Sequence, residues 1–466
     1  MTVKAENVVI IGAGLVGTLM AMLLAQRGVR QVTILERQPE QLGEGAGNGR
    51  SFNLTVSKRG EAALAQAGIL ETVLDKTLPI TGRMCHMPGE ADRRFLYGDR
   101  KKHVLHGVRR SDMNTVLLSE AKKHDNIDIR FNVDVLSLCK NTGQIEARDA
   151  SSQEPLVLPD ADFIIGADGA FSTVRKCLLD GERFDYSQEF LRWGYREVKI
   201  PPGPAGKPML DQESLHVWPR GDVMMFALPN PDGSFTGNFI YPLHREVELH
   251  TDGFMTEFFR REFPDVAPLV PKIEDSLRAL PASNFQTIRT EKWYHGSKVV
   301  LLGDSAHGII PFYGQGMNSG FDDCLTLLRC LETCGADYEQ AFAQYQAERK
   351  KSTDIIADLS IANFEELRNG FRSPVAQARR RTNNLLFTLF PRYWRPLHIL
   401  ISHTEMSYFD AMSHCRRRDK IARIFGFDLL VLSILLLSRG KDVTDLLTKK
   451  LRSQRAQNRK ARATGA

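Results

Sequence analysis

The sequence predicts an α/β protein in which a parallel sheet is interrupted by an inserted antiparallel sheet and followed by a helical carboxy-terminal region. Three observations predict it. A strand–helix–strand unit opens the chain, with Gly12, Gly14 and Gly17 in its turn. Two later apolar runs, Asp162 to Gly166 and Lys298 to Gly303, each lead into glycine and aspartate at the carboxyl end of a strand, where open α/β sheets bind ligands. The stretches between these runs alternate apolar and polar residues and are punctuated by turn sequences, the pattern of antiparallel strands.

Taken in order, Asn7 to Ile11 reads as a buried strand, Leu15 to Gln26 as a helix with an apolar face, and Gln31 to Glu36 as a second strand. Residues 1–72, 104–183 and 291–337 are expected to form one discontinuous domain around this unit. Residues 73–103 and 184–290 form the inserted sheet domain, with strands such as Ser214 to Trp218, Val223 to Leu228 and Ser234 to Ile240. A helix is expected from about Asn318. From 338 to 438 the pattern is helical with a proline break between Pro391 and Pro396, and 439–466 is a basic tail.

A length of 466 residues with 42% hydrophobic and 25% charged residues fits two or three folded domains rather than a disordered chain. The formal charge of +6 is local. Arg439 to Ala466 holds nine Lys or Arg and two Asp, +7, which leaves −1 for the rest. The tail has no nucleic-acid reading motif, so no nucleic-acid partner is expected. Seven cysteines without a C-x-x-C pair predict a reduced, intracellular and cytoplasmic setting. No signal peptide is expected. The run Ile424 to Leu437 contains Asp428 and falls short of the roughly 20 residues of a membrane span. With basic flanks it reads either as a peripheral membrane contact or as a helix over the active site followed by a polar end, and both readings stay open.

The opening turn carries the first chemistry. Gly12 permits a tight turn, Gly14 lets a pyrophosphate approach the backbone, and Gly17 lets helix and strand pack. The helix amino terminus adds partial positive charge. Glu36, nineteen residues beyond Gly17 at the end of the second strand, is placed to accept ribose hydroxyls. This predicts a bound dinucleotide without choosing which one. No second G-x-G-x-x-G is present, and no spacing suggests a metal site.

Three motifs in order, Gly12 to Gly17, Gly166-Ala-Asp168-Gly169 and Leu302-Gly303-Asp304-Ser305-Ala306-His307, resemble the single-component FAD-dependent aromatic hydroxylases. Within them, Gly49 to Leu54, Gly82-Arg83-Met84, Gly194 to Glu197, Leu215 to Pro219 and Pro311 to Asn318 are similar to the kynurenine-hydroxylating branch, from residue 7 to about residue 425. The resemblance implies a Rossmann-type FAD-binding domain beside a substrate-binding sheet. It also implies FAD contacts at Asp168, Gly169, Gly303 and Asp304, with Arg50 and Arg110 near the cofactor. The loop from Pro311 through Gly314, Gly316, Met317 and Asn318 would line the isoalloxazine ring. Arg83 and Tyr97 would hold the carboxylate of an aromatic amino acid, with Asn363 adding a polar contact. One departure stands out: the family's Pro-x-x-Trp-x-Pro-Leu-Tyr element reads Pro391-Arg-Tyr-Trp394-Arg-Pro396-Leu397-His398, so His398 takes the place of a tyrosine bordering the substrate.

The implied reaction is NADPH- and O₂-dependent hydroxylation of L-kynurenine to 3-hydroxykynurenine through a flavin hydroperoxide, with NADPH visiting transiently. The flavin carries the chemistry and no side chain is assigned a catalytic role; His307 is read as shaping the flavin loop rather than as a base. His398 keeps open a related aromatic amino acid or an indole as substrate. A flavin reductase or desaturase would need no carboxylate clamp, and a flavin-binding interaction protein would show no substrate-stimulated NADPH oxidation. The sequence leaves oligomeric state undetermined.

Overall fold

The structure, a computed structural model, describes residues 2–40, 52–181, 183–270, 272–279, 281–368 and 374–424. The chain divides into two compact units, one of residues 1–370 with 398–409 and the other of 371–397 with 410–466.

In the first unit Val8 to Ile11 and Val32 to Leu35 are buried at nearly every position, which only a central parallel sheet provides. That sheet has six strands in the order Tyr294–His295, Val299–Leu301, Phe163–Gly166, Asn7–Ile11, Gln31–Leu35 and Ile127–Arg130. All neighbours are parallel except the short first strand. Its core is closed by the Leu15–Gln26 helix and by Gly316–Cys334, through Leu19, Leu23, Phe321 and Leu327. Two three-stranded sheets flank it. Leu54–Val56, Leu105–Val108 and Leu78–Ile80 form one, and Val133–Leu138, Ile145–Asp149 and Pro155–Leu156 the other.

The second large sheet has seven strands in the order Ser283–Thr290, Tyr186–Ile200, Phe235–Pro242, Val223–Pro229, Ser214–Arg220, Gly82–Cys85 and Arg93–Leu96. Gly82–Cys85 joins in parallel to Ser214–Arg220, with Arg83 opposite Leu215. Strand alternation then assigns the faces. Val223, Met225 and Ala227 pack on Leu249, Phe259 and Leu277 of three short helices. Arg83, Val217 and Phe226 point to the other face. The helices Glu246–Leu249, Phe254–Glu262 and Ile273–Arg278 correct the expectation of strands throughout 184–290. Their apolar residues are only intelligible once the sheet face that they cover is known.

Helix Tyr338–Arg368 follows, as the periodicity predicts. In the second unit, Trp394 donates from its indole nitrogen to Asn383 at 2.9 Å and lies under the Arg418 guanidinium at 4.4 Å. No helix among the described residues is long and apolar enough to cross a membrane. Arg50, most of the Ile424 to Leu437 run and the basic tail lie outside the described residues.

Candidate active site

The glycine turn has the shape that the motif requires. Gly12 has φ +107°, and a side-chain carbon there would lie 2.4 Å from the Ala167 carbonyl oxygen. At Gly17 it would lie 2.1 Å from the Gly12 carbonyl. At Gly14 it would meet nothing within 4 Å, so this glycine faces open space where a bulky phosphate could approach the backbone. Glu36 closes the turn, accepting from the amides of Ala13 and Gln38 at 2.8 Å each.

The two distant aspartate motifs meet beside it. Asp168 accepts from the amides of Thr173 and Val174 with one oxygen and from the Ser305 hydroxyl with the other. The amide of Gly169 donates to the same hydroxyl at 2.9 Å. Buried Arg175 donates to the Ser305 carbonyl at 2.8 Å and to that of Ala170, a brace that sequence reading passed over. Asp304 is exposed to solvent yet deeply surrounded. Loss of solvation raises its carboxyl pKa, and the charge of Arg110 at the start of helix Arg110–Ala121 opposes that rise. Neighbouring Arg109 pairs with Asp232. An accessible acid, a nearby arginine and a side-chain-free turn suit the ribose and pyrophosphate of a dinucleotide.

The loop after Ile310 is built for close approach. Pro311–Tyr313 forms one tight turn, Gly314 has φ +68°, and helix Gly316–Cys334 begins at once, presenting its first amides. Met317 is half-buried at that helix start. Asn318 is fully buried. It accepts from the Ser57 amide at 2.9 Å and donates to the carbonyls of Thr55 and Gly314 at 2.8 and 2.9 Å. Its side chain therefore shapes the loop. Its oxygen also explains Gly60, where a side-chain carbon would approach to 2.3 Å.

An aromatic wall stands between this loop and the seven-stranded sheet. Phe312 contacts Phe285 and Phe364 at 4.8 and 4.6 Å between centroids, and Phe52 contacts Tyr195 and Phe226 at 5.0 and 5.2 Å. Arg83 lies on the face of the sheet that Phe226 shares. Its guanidinium carbon is 5.9 Å from the Tyr97 ring, and no carboxylate among the described residues pairs with it. Its Nε is enclosed without a hydrogen-bond partner. Burial opposes its charge, but Tyr97, with Cys85 and Tyr313 adding to it, outweighs this and raises its pKa. A charged, enclosed guanidinium without a counter-ion is a receptor for an anion.

The two remaining expected residues border this place differently. Asn363 donates to the Phe312 carbonyl, so its amide group supports the Pro311–Tyr313 turn. His398 meets the Tyr97 carbonyl at 3.0 Å; since a carbonyl only accepts, the imidazole Nε2 is the donor. His307 meets Asp323 at 2.6 Å, and both are buried.

An FAD-binding domain family model matches residues 5–360. The kynurenine 3-monooxygenase of Salinispora tropica is 39% identical over 93% of this chain and 96% of its own. That of Sus scrofa is 32% identical over 92% and 91%. The chain belongs to the kynurenine 3-monooxygenase family.

Solved structures place the fold of this family member more widely. It resembles 2-methyl-3-hydroxypyridine-5-carboxylic acid oxygenase with a TM-score of 0.66 at 20% identity, covering 80% of this chain and 95% of that one. It resembles Pseudomonas aeruginosa PqsL, solved with 2-aminobenzoylacetate, with a TM-score of 0.63 at 19% identity, covering 78% and 96%. What the sequence missed in this family member is the buried bracing by Arg59, Arg175 and Arg349. Each makes contacts far along the chain, and no local spacing signals them.

Proposed function

We propose that this chain hydroxylates L-kynurenine beside the ring amine, consuming NADPH, a proton and O₂ and releasing 3-hydroxykynurenine, NADP⁺ and water. The observation that carries the reading is Arg83, an enclosed guanidinium without a counter-ion, beside Tyr97 and on the sheet face that the aromatic wall shares. The substrate's α-carboxylate would take paired donors from Arg83 and a third from the Tyr97 phenol, which sets the position of its ring. His398 would border it through the Tyr97 carbonyl, and Asn363 would hold the Phe312 backbone that forms its wall.

When bound, FAD supplies the transfer of electrons from NADPH to O₂ and the electrophilic oxygen. For the protein's part, Gly12, Gly14 and Gly17 would receive the pyrophosphate, Glu36 and Asp304 the ribose and ribityl hydroxyls, and Arg110 and Arg50 the negative charge. Gly303, Gly169 and Asp168 would shape the cleft, while Pro311, Gly314, Gly316, Met317 and Asn318 would hold backbone against the ring system. Phe312, Phe226 and Phe285 exclude water from the reacting face, which favours hydroxylation over loss of H₂O₂. The kynurenine ring is already activated by its amine, so no base is needed.

His398 supports a second reading, another aromatic amino acid of similar length, because an imidazole is smaller than a phenol. The decisive measurement is NADPH oxidation by the flavin-loaded protein with and without L-kynurenine, with product mass and substitution position determined. Stimulation with a product one oxygen heavier, hydroxylated beside the amine, is expected. No stimulation with L-kynurenine, but coupled turnover of another aromatic amino acid, would transfer the proposal to that substrate. For the residues beyond Ile424, the proposed role is peripheral contact with anionic lipid. Sedimentation with phosphatidylserine vesicles that is lost at high salt is its measure.

A further inference from the structure

We infer that Arg59 is a positioning residue for substrate binding, acting at a distance on the Arg83–Tyr97 pair. Arg59 belongs to the Lys58–Gln66 helix and is 2% exposed, although it is a full-length cation. One guanidinium nitrogen donates to two backbone carbonyls, Ile401 at 3.3 Å and Met406 at 2.8 Å. Another donates to Asp322 at 3.1 Å, and the group lies over the Tyr408 ring at 3.9 Å. Tyr408 in turn donates its hydroxyl to Gln315 at 2.9 Å, inside the loop proposed to face the flavin.

The Ile401 carbonyl lies in the last turn of helix Leu397–Ser402, where carbonyls lack partners within the helix. A helix of six residues has little stability of its own, so its placement depends on such outside contacts. Its other end carries His398, whose Nε2 donates to the Tyr97 carbonyl. Arg59 thus holds one end of a short rod whose other end touches the backbone of a proposed substrate residue. Asp322 fixes Arg59 from behind. It also takes Arg349, which reaches Asp323 at 2.7 Å, so two cations and two carboxylates balance.

The inference rests on the clamp reading, so the test separates the two. The flavin-loaded wild type is compared with Arg59→Met, Arg59→Lys, His398→Phe, the Arg59→Met/His398→Phe double variant and Arg83→Met. KM for L-kynurenine, kcat, H₂O₂ formed per NADPH and FAD affinity are measured for each. Arg59→Met is expected to raise KM about tenfold and to increase H₂O₂ release, with kcat and FAD affinity within about twofold of wild type. Arg59→Lys keeps the charge but loses the fork, and should raise KM about threefold. The double variant should bind no worse than the weaker single variant, because both substitutions release the same helix.

A KM within twofold of wild type for Arg59→Met, multiplying effects in the double variant, or FAD affinity falling in step with KM would overturn the inference. If Arg59→Met does not fold, an unchanged KM in Arg59→Lys overturns it. If Arg83→Met leaves KM unchanged, the clamp reading falls and takes this inference with it. If Arg83→Met raises KM while Arg59→Met does not, Arg59 alone is wrongly assigned.

Discussion

Arg83 carries the sharpest residue-scale prediction. Hydrogen bonds to charged groups contribute about 1.5–3 kcal/mol each, so losing a paired contact should cost about 3 kcal/mol or more, roughly a hundredfold in kcat/KM. Arg83→Ala is expected to show that loss with flavin content retained, and Arg83→Lys to recover part of it as a point charge without the fork. Steady-state kinetics at matched flavin occupancy checks both, and an Arg83→Ala protein with wild-type kcat/KM would remove the clamp. A second prediction concerns His216, buried on the opposite face of the same sheet. Its Nε2 donates to the Asp211 carbonyl and its Nδ1 faces His86 at 2.9 Å. Burial lowers its pKa from 6.5 to about 4, with the Asp211 carbonyl bond opposing that shift. The native state therefore takes up its proton later than the unfolded chain. Stability from this site is full above pH 6.5 and is lost as pH falls toward 4, by about 3 kcal/mol in all. Denaturant titrations at pH 7 and pH 4.5 should differ accordingly, and His216→Gln should flatten part of the difference; an equal slope in both proteins would refute the assignment. Residues such as Gly12 were legible from sequence because a motif encodes a backbone shape. Arg175 was not, because its partner Ser305 lies 130 positions away.

Between elements, a buried tie is made by Arg349 of helix Tyr338–Arg368, which reaches Asp322, Asp323 and the Ser319 carbonyl of helix Gly316–Cys334. Replacing it with methionine preserves bulk but leaves Asp323, fully buried, with His307 and the Gly303 amide on one oxygen and without its arginine on the other. Breaking a buried pair on one side costs about 3–5 kcal/mol. Arg349→Met is therefore expected to lower the denaturation midpoint sharply, while Asp323→Asn in the same background should recover some of the loss. If the double variant is no more stable than Arg349→Met, the charge argument fails. The proline break before Leu397 and the long helix from Tyr338 could be read in advance, since proline and apolar period are local signals. The helices between Glu246 and Arg278 could not. Met255, Phe259 and Leu277 are apolar because of the sheet face that they cover, and nothing in their immediate neighbours distinguishes that face from a strand's.

At the scale of the molecule, every described candidate residue falls within the first compact unit, including His398, which the chain returns to that unit after residues 371–397. This return is invisible to a linear reading, which assigned 338–438 to one helical region. The family resemblance implied one shared dinucleotide site from segments almost 300 residues apart, and Ser305, bonded to Asp168 and Gly169, ties two of its three motifs together. A ligand held by such segments stabilises only the state in which they are assembled. At free FAD a hundredfold above its Kd the gain is about 2.7 kcal/mol. The first unit has roughly 380 residues, and melting entropy runs near 2.1 cal/mol/K per residue, so that gain should raise its midpoint by about 3–4 °C. Calorimetry of the apoprotein and the reconstituted protein, with flavin fluorescence followed in parallel, measures this directly. The rise in fluorescence should coincide with the shifted transition, because the cleft disassembles when its segments separate. If flavin leaves well below that transition, its contacts depend on a local loop, and Pro311 to Asn318 becomes the segment that limits retention.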